Sequence, residues 1–73
     1  MKNDKNANEI NTVPVWEKVL LTVDEAAVYT GVGSAKIRQL TDSEKCPFVL
    51  WNGSKRLIKR EAFVEFIKRQ YSI

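Results

Sequence analysis

The stretch Thr22 to Thr41, TVDEAAVYTGVGSAKIRQLT, constrains the fold more than any other part of the chain, because it carries helix start and stop signals in one short run. Thr22 followed by Glu25 is a capping-box pattern, in which each side chain satisfies a backbone N–H left free at a helix start. Val23, Ala26, Ala27 and Thr30 then recur at the spacing of one helix face. Gly31-Val32-Gly33 ends that helix, and Gly31 can take the positive φ that a C-terminal cap needs. A second helix starts at Gly33 or Ser34, both acceptable N-caps. It buries Ile37 and Leu40 and leaves Lys36, Arg38 and Gln39 outside. Two alanines on the first helix allow the second to approach closely. The result is a helix-turn-helix pattern whose second helix is of the kind that enters a DNA major groove.

The rest of the chain narrows the possibilities. Its 73 residues make one small domain, and an apolar share of 44% is enough for it to fold without staples. One cysteine and no histidine exclude an internal disulfide framework and the usual zinc-finger ligand sets. No apolar run approaches the roughly 18 residues of a membrane span. No secretory signal is recognisable at the N-terminus, so the expectation is a cytoplasmic protein without a membrane partner. The net charge of +3 is unevenly spread. Residues 13–32 carry Lys18 against Glu17, Asp24 and Glu25. Residues 33–60 carry Lys36, Arg38, Lys45, Lys55, Arg56, Lys59 and Arg60 against Asp42 and Glu44. The positive charge thus lies on the second helix, the next loop and its flanks, the footprint of a polyanion binder.

Residues 1–12, polar and Asn-rich, read as a flexible tail, and residues 13–73 as the folded domain. Pro14 favours an extended entry, Trp16 is expected to cover one side of the core, and Val19 to Leu21 lead into the first helix, an apolar run too short for periodicity to decide between a short strand and helix. Pro47 stops the second helix. Cys46, with no histidine or second cysteine to work with, reads as a half-buried structural thiol. Phe48 to Trp51 and Arg56 to Ile58, separated by Asn52-Gly53-Ser54-Lys55, read as a β-hairpin. A two-residue turn at Asn52-Gly53 would pair Leu50 with Lys55. A four-residue loop, Asn52 to Lys55, would pair Leu50 with Leu57 and Val49 with Ile58, and is preferred because it matches apolar partners. The basic tip looks like the wing of a winged helix-turn-helix. A third helix is expected from Lys59 to about Gln70, with Phe63, Phe66 and Ile67 facing the core and Val64 and Tyr71 extending the stripe. The fold class is therefore α+β: a small MerR-like winged helix-turn-helix with three helices and a two-stranded hairpin wing.

Within this layout, Leu21-Thr22-Val23-Asp24-Glu25-Ala26-Ala27, Gly31-Val32 and Ile58-Lys59-Arg60-Glu61-x-Phe63 resemble the excisionase-type family of small DNA-binding domains. Pro14-Val15-Trp16-Glu17 just before them is similar to the excisionases of conjugative transposons, and the resemblance spans about residues 14–71. It implies a recombination accessory factor, or directionality factor, that binds repeated sites in the arms of an integrated mobile element. Such factors bend double-stranded DNA and help a tyrosine-recombinase integrase to excise the element. They have no catalytic chemistry and no cofactor. The residues agree: there is no plausible nucleophile–base pair, phosphate-binding loop or metal ligand set. Neighbouring copies on DNA are a further expected partner. A small transcriptional regulator uses the same domain, and a protein-interaction adaptor such as an antitoxin is a third reading.

The expected DNA contacts rest on residue chemistry. Ser34, Ala35, Lys36, Arg38 and Gln39 lie on or beside the exposed face of the second helix. Arg and Lys suit guanine, Gln suits adenine, and Ser34 with the free N–H groups at the helix start suits a phosphate. Asn52, Gly53, Ser54, Lys55 and Arg56 form the wing, which would follow the neighbouring backbone or enter the minor groove. Lys59 and Arg60 are expected to contact phosphate.

Overall fold

The computed structural model describes residues 13–73, and the expected tail, residues 1–12, lies outside the described residues. A 3-10 turn (Val15–Glu17) leads into strand β1 (Leu20–Leu21). Helices α1 (Val23–Thr30) and α2 (Ser34–Thr41) come next, then strands β2 (Val49–Asn52) and β3 (Lys55–Lys59), and helix α3 (Arg60–Lys68).

Local chemistry sets α1. The Thr22 hydroxyl accepts the Glu25 N–H at 3.1 Å, and the Glu25 carboxylate accepts the Thr22 N–H at 3.0 Å. Each satisfies a donor that a helix start would otherwise leave free. At the other end Gly31, with φ 82°, donates its N–H to the Ala27 carbonyl. A side chain there would be strained whatever the space around it. Gly33 is the N-cap of α2 and makes no side-chain cap, so Ser34 is the first residue inside the helix.

The hairpin adopts the register that matches apolar partners, Val49 with Ile58 and Leu50 with Leu57. Pairing continues through Trp51 with Arg56 and Asn52 with Lys55. Because Asn52 and Lys55 pair, the turn is two residues, Gly53-Ser54, rather than the expected four, with positive φ at Gly53 as a type II′ turn requires. The sheet has three strands rather than two. β1 pairs antiparallel with β3, Leu20 opposite Lys59 and Leu21 opposite Ile58, so β3 is central.

Leu21, Val23, Ala26, Ile37, Phe48, Ile58 and Phe63 form the core. The Phe48 and Phe63 rings stack with centroids 4.5 Å apart, and Phe66 lies 4.9 Å from Phe48. Ala26 is fully buried, so α2 can close on α1 where a larger side chain would hold it away. Cys46 is half-buried against this cluster, as its surroundings in the sequence suggested.

Three expectations change. Trp16 does not cover the core: it is 63% exposed, and Val15 packs inward instead. A single 3-10 turn places adjacent side chains on different sides, so only one of the two can face in. The third helix begins at Arg60 and ends at Lys68; Lys59 closes β3 and serves as the helix N-cap. Tyr71 lies past the helix end and is fully exposed, so it does not extend the apolar stripe.

Candidate nucleic-acid interface

Helix α2 and the wing stand side by side and enclose a groove. Its walls include Arg38 from α2, Trp51, Ser54, Lys55 and Arg56 from the hairpin, and Thr22 to Asp24 at the start of α1. The side chains of α2 divide by helical geometry. Ile37 and Thr41 point into the core. Ala35, Arg38 and Gln39 are exposed. Ser34 and Lys36 are half-buried, and Lys36 lies roughly 160° around the helix from Arg38. The five α2 residues expected at a DNA surface thus do not share one face. Ala35, Arg38 and Gln39 form its exposed centre, with Arg38 on the side of the wing, while Lys36 stands on the opposite flank.

The wing divides in the same way. Asn52, Gly53, Ser54 and Lys55 are exposed, and Arg56 is not. Cross-strand partners share a face of a sheet. Trp51 and Arg56 therefore point together toward α2, while Asn52 and Lys55 lie exposed at the hairpin end, Lys55 at the rim of the groove. The Arg56 guanidinium bonds three acceptors of the protein. Nη1 donates to the Arg38 carbonyl at 3.0 Å and to the Thr41 hydroxyl at 2.9 Å. Nη2 lies 3.1 Å from the Asp42 carboxylate, and the guanidinium carbon sits 4.7 Å above the Trp51 ring. Thr41 is itself buried, and its hydroxyl donates back to the Ile37 carbonyl.

Arg60 is likewise turned inward. Its Nε donates to the Lys18 carbonyl, its Nη2 lies 3.7 Å from Glu61, and its side chain is 18% exposed. The expectation of a phosphate contact at Arg60 therefore meets a side chain already placed between β1 and α3. Lys59 is exposed. Among the described residues, the side chains of Lys36, Arg38, Lys55 and Lys59 make no hydrogen bond or ion pair with the protein.

The acidic side of the molecule is organised around Glu25. Lys18 Nζ reaches its carboxylate at 2.6 Å. This bond, and then the Thr22 N–H, hold the Glu25 carboxyl below its usual value. The groove thus keeps Arg38 and Lys55 facing solvent, with exposed Asp24 on its α1 wall, whereas Glu25 is closed on Lys18.

Sequence reasoning missed Trp51, Thr41 and Asp42 as parts of this region. A signal existed for the first, because Trp51 is the cross-strand partner of Arg56 in the preferred register. No local pattern marked Thr41 or Asp42.

Residues 20–71 match the family model described as a helix-turn-helix domain. The chain is 36% identical over 56 residues to the excisionase from transposon Tn916 of Streptococcus agalactiae serotype V, covering 75% of this chain and 84% of that one. No solved structure matches. Among the described residues no helix is long and apolar enough to cross a membrane. The matched region runs from β1 past the end of α3 and so includes both helices and the wing: the chain belongs to the helix-turn-helix domain family, as an excisionase-type, non-enzymatic DNA-binding protein.

Proposed function

We propose that this protein binds repeated sites in the arms of an integrated mobile element, bends the DNA there, and assists a tyrosine-recombinase integrase in excision. The observation that carries the DNA geometry is the pairing of two solvent-facing basic elements beside one groove, α2 with Arg38 and the wing with Lys55. An α-helix fits the major groove, and a wing beside it reaches the adjoining backbone or minor groove. The excisionase relative supports the recombination context.

In this reading Arg38 and Gln39, with the small Ala35 beside them to allow close approach, read base edges. Ser34 and the N–H groups at the start of α2 hold one phosphate, and Lys36 reaches the backbone on the other flank. Lys55, Ser54, Gly53 and Asn52 meet the adjoining strand, and Lys59 meets phosphate. One such domain covers few base pairs, so high occupancy comes from adjacent copies on repeated sites. Bending would result from contacts by successive copies on one side of the duplex.

The test is a gel shift of the full chain on the element's own end fragments and on random DNA, with and without the integrase, over a salt series. Selective, salt-sensitive binding in steps, with the integrase recruited, supports the proposal. Selective binding indifferent to the integrase favours a transcriptional regulator, and absence of selective binding favours a protein-interaction adaptor.

A further inference from the structure

We propose that Arg56 is a positioning residue that locks the wing to the recognition helix, so that DNA selectivity depends on a contact internal to the protein. The inference rests on the DNA-binding reading above and deepens it. Arg56 sits on β3, on the side of the hairpin that faces α2, and its side chain is 20% exposed. Its three acceptors all come from the last turn and cap of α2: the Arg38 carbonyl, the Thr41 hydroxyl and the Asp42 carboxylate.

Three physical features make this arrangement a strut. First, the carbonyl end of a helix carries partial negative charge, so a cation there is favourable. Second, the planar guanidinium presents its donors in a fixed fork, which lets one side chain bond a carbonyl, a hydroxyl and a carboxylate at once. A lysine ammonium at this position could neutralise charge but could not hold the same three acceptors in one plane. Third, the Trp51 ring lies over the guanidinium and restricts its swing. A DNA phosphate would have to compete with these partners for the guanidinium charge.

One acceptor is the backbone carbonyl of Arg38, whose own guanidinium projects toward the DNA side. The strut therefore connects the wing to the backbone of the residue that reads bases. Rotation of the wing relative to α2 would move Arg38 off its base edge. Thr41 reinforces the link from below, since its hydroxyl bridges Arg56 to the Ile37 carbonyl in the core.

The experiment compares wild type, Arg56→Lys, Arg56→Gln, Asp42→Asn and Lys55→Ala on cognate end fragments and random DNA over a salt series, with thermal unfolding of each. Arg56→Lys keeps the charge and should still lose about tenfold in the cognate-to-random ratio, the scale of one charged hydrogen-bond set. Its salt slope should stay at the wild-type value. Lys55→Ala should instead weaken both DNAs together and lower the slope by about one. Asp42→Asn keeps the test valid if Arg56→Lys does not fold, because Asp42 is 67% exposed. Removal of a negative charge near DNA should by itself tighten binding to every sequence. The strut predicts the opposite for the cognate site, a several-fold fall in the ratio. An unchanged ratio in both Arg56→Lys and Asp42→Asn, or a salt slope lowered by about one in Arg56→Gln, overturns the proposal. A wild-type chain with no preference for cognate DNA overturns the reading on which it rests.

Discussion

Two corners of this molecule use the same chemistry for different ends. At the start of α1, Lys18, Glu25, Thr22 and Arg60 bond to one another and to backbone, joining the first strand to the first and third helices. At the end of α2, Arg56 makes an equally dense set of bonds, but these tie the hairpin to the helix beside the basic groove. The first corner holds the scaffold together. The second joins the two elements that the proposed function assigns to DNA. The difference shows that net charge overstates the number of cations available to a polyanion. Of the seven basic residues between 33 and 60, two have their guanidiniums turned inward.

The largest test of this comparison strikes beneath both corners. Phe63→Ala removes a fully buried ring stacked on Phe48, and should destabilise the fold by about 3–5 kcal/mol in chemical denaturation. If stability drops while selective binding by the remaining folded protein is untouched, the corners share a core but not a function. Next, Arg60→Ala should cost about 1–3 kcal/mol of stability, because the Lys18 carbonyl loses a charged donor. The salt slope of DNA binding should not change. A slope lower by about one would make Arg60 a phosphate ligand and erase the distinction between the corners.

Arg38→Ala should show the converse pattern. It should cost about 1–3 kcal/mol in cognate binding and relax selectivity, while the unfolding midpoint barely moves, because the side chain is exposed. The smallest effect concerns acid. Glu25 has its carboxyl held down by Lys18 and by the Thr22 N–H. Its folded pKa lies below the unfolded one, so its contribution is present above the ordinary carboxylate value. That contribution fades as pH falls through the folded value. Glu25→Gln should flatten the acid limb of the stability curve by less than about 1 kcal/mol, since the pair is only part-buried. An acid limb identical to wild type would remove the Lys18 pair from the account of the scaffold.

The sequence was most readable where the determinants are local. Thr22 and Glu25 stand three residues apart and define a helix start without outside help. The hairpin register came from matching Val49 with Ile58 and Leu50 with Leu57, a comparison of neighbours along a short loop. The features that stayed hidden depend on distant partners. Val19 to Leu21 left strand and helix both open, and what decides between them is pairing with Ile58 and Lys59, far along the chain. Trp16 looked like a core residue by type, yet the 3-10 turn presents it outward. Arg56 and Arg60 read as surface cations because an arginine is written the same way whether it meets a phosphate or a carbonyl. Thr41 carried no pattern at all, since a buried hydroxyl shows itself only through the acceptor and donor that meet it.

The pairing of Leu21 with Ile58 has a consequence for how such a protein can change over time. The segment between them holds both helices of the motif and most of the wing, yet it departs from and returns to neighbouring points in one sheet. Its ends behave like the two contacts of a socket. If α2 and the hairpin tip read DNA as proposed, substitutions there would alter which DNA is chosen while the socket stays fixed. New target preferences would then arise by exchange of a single continuous stretch of gene, with the flanking 3-10 turn and α3 inherited unchanged.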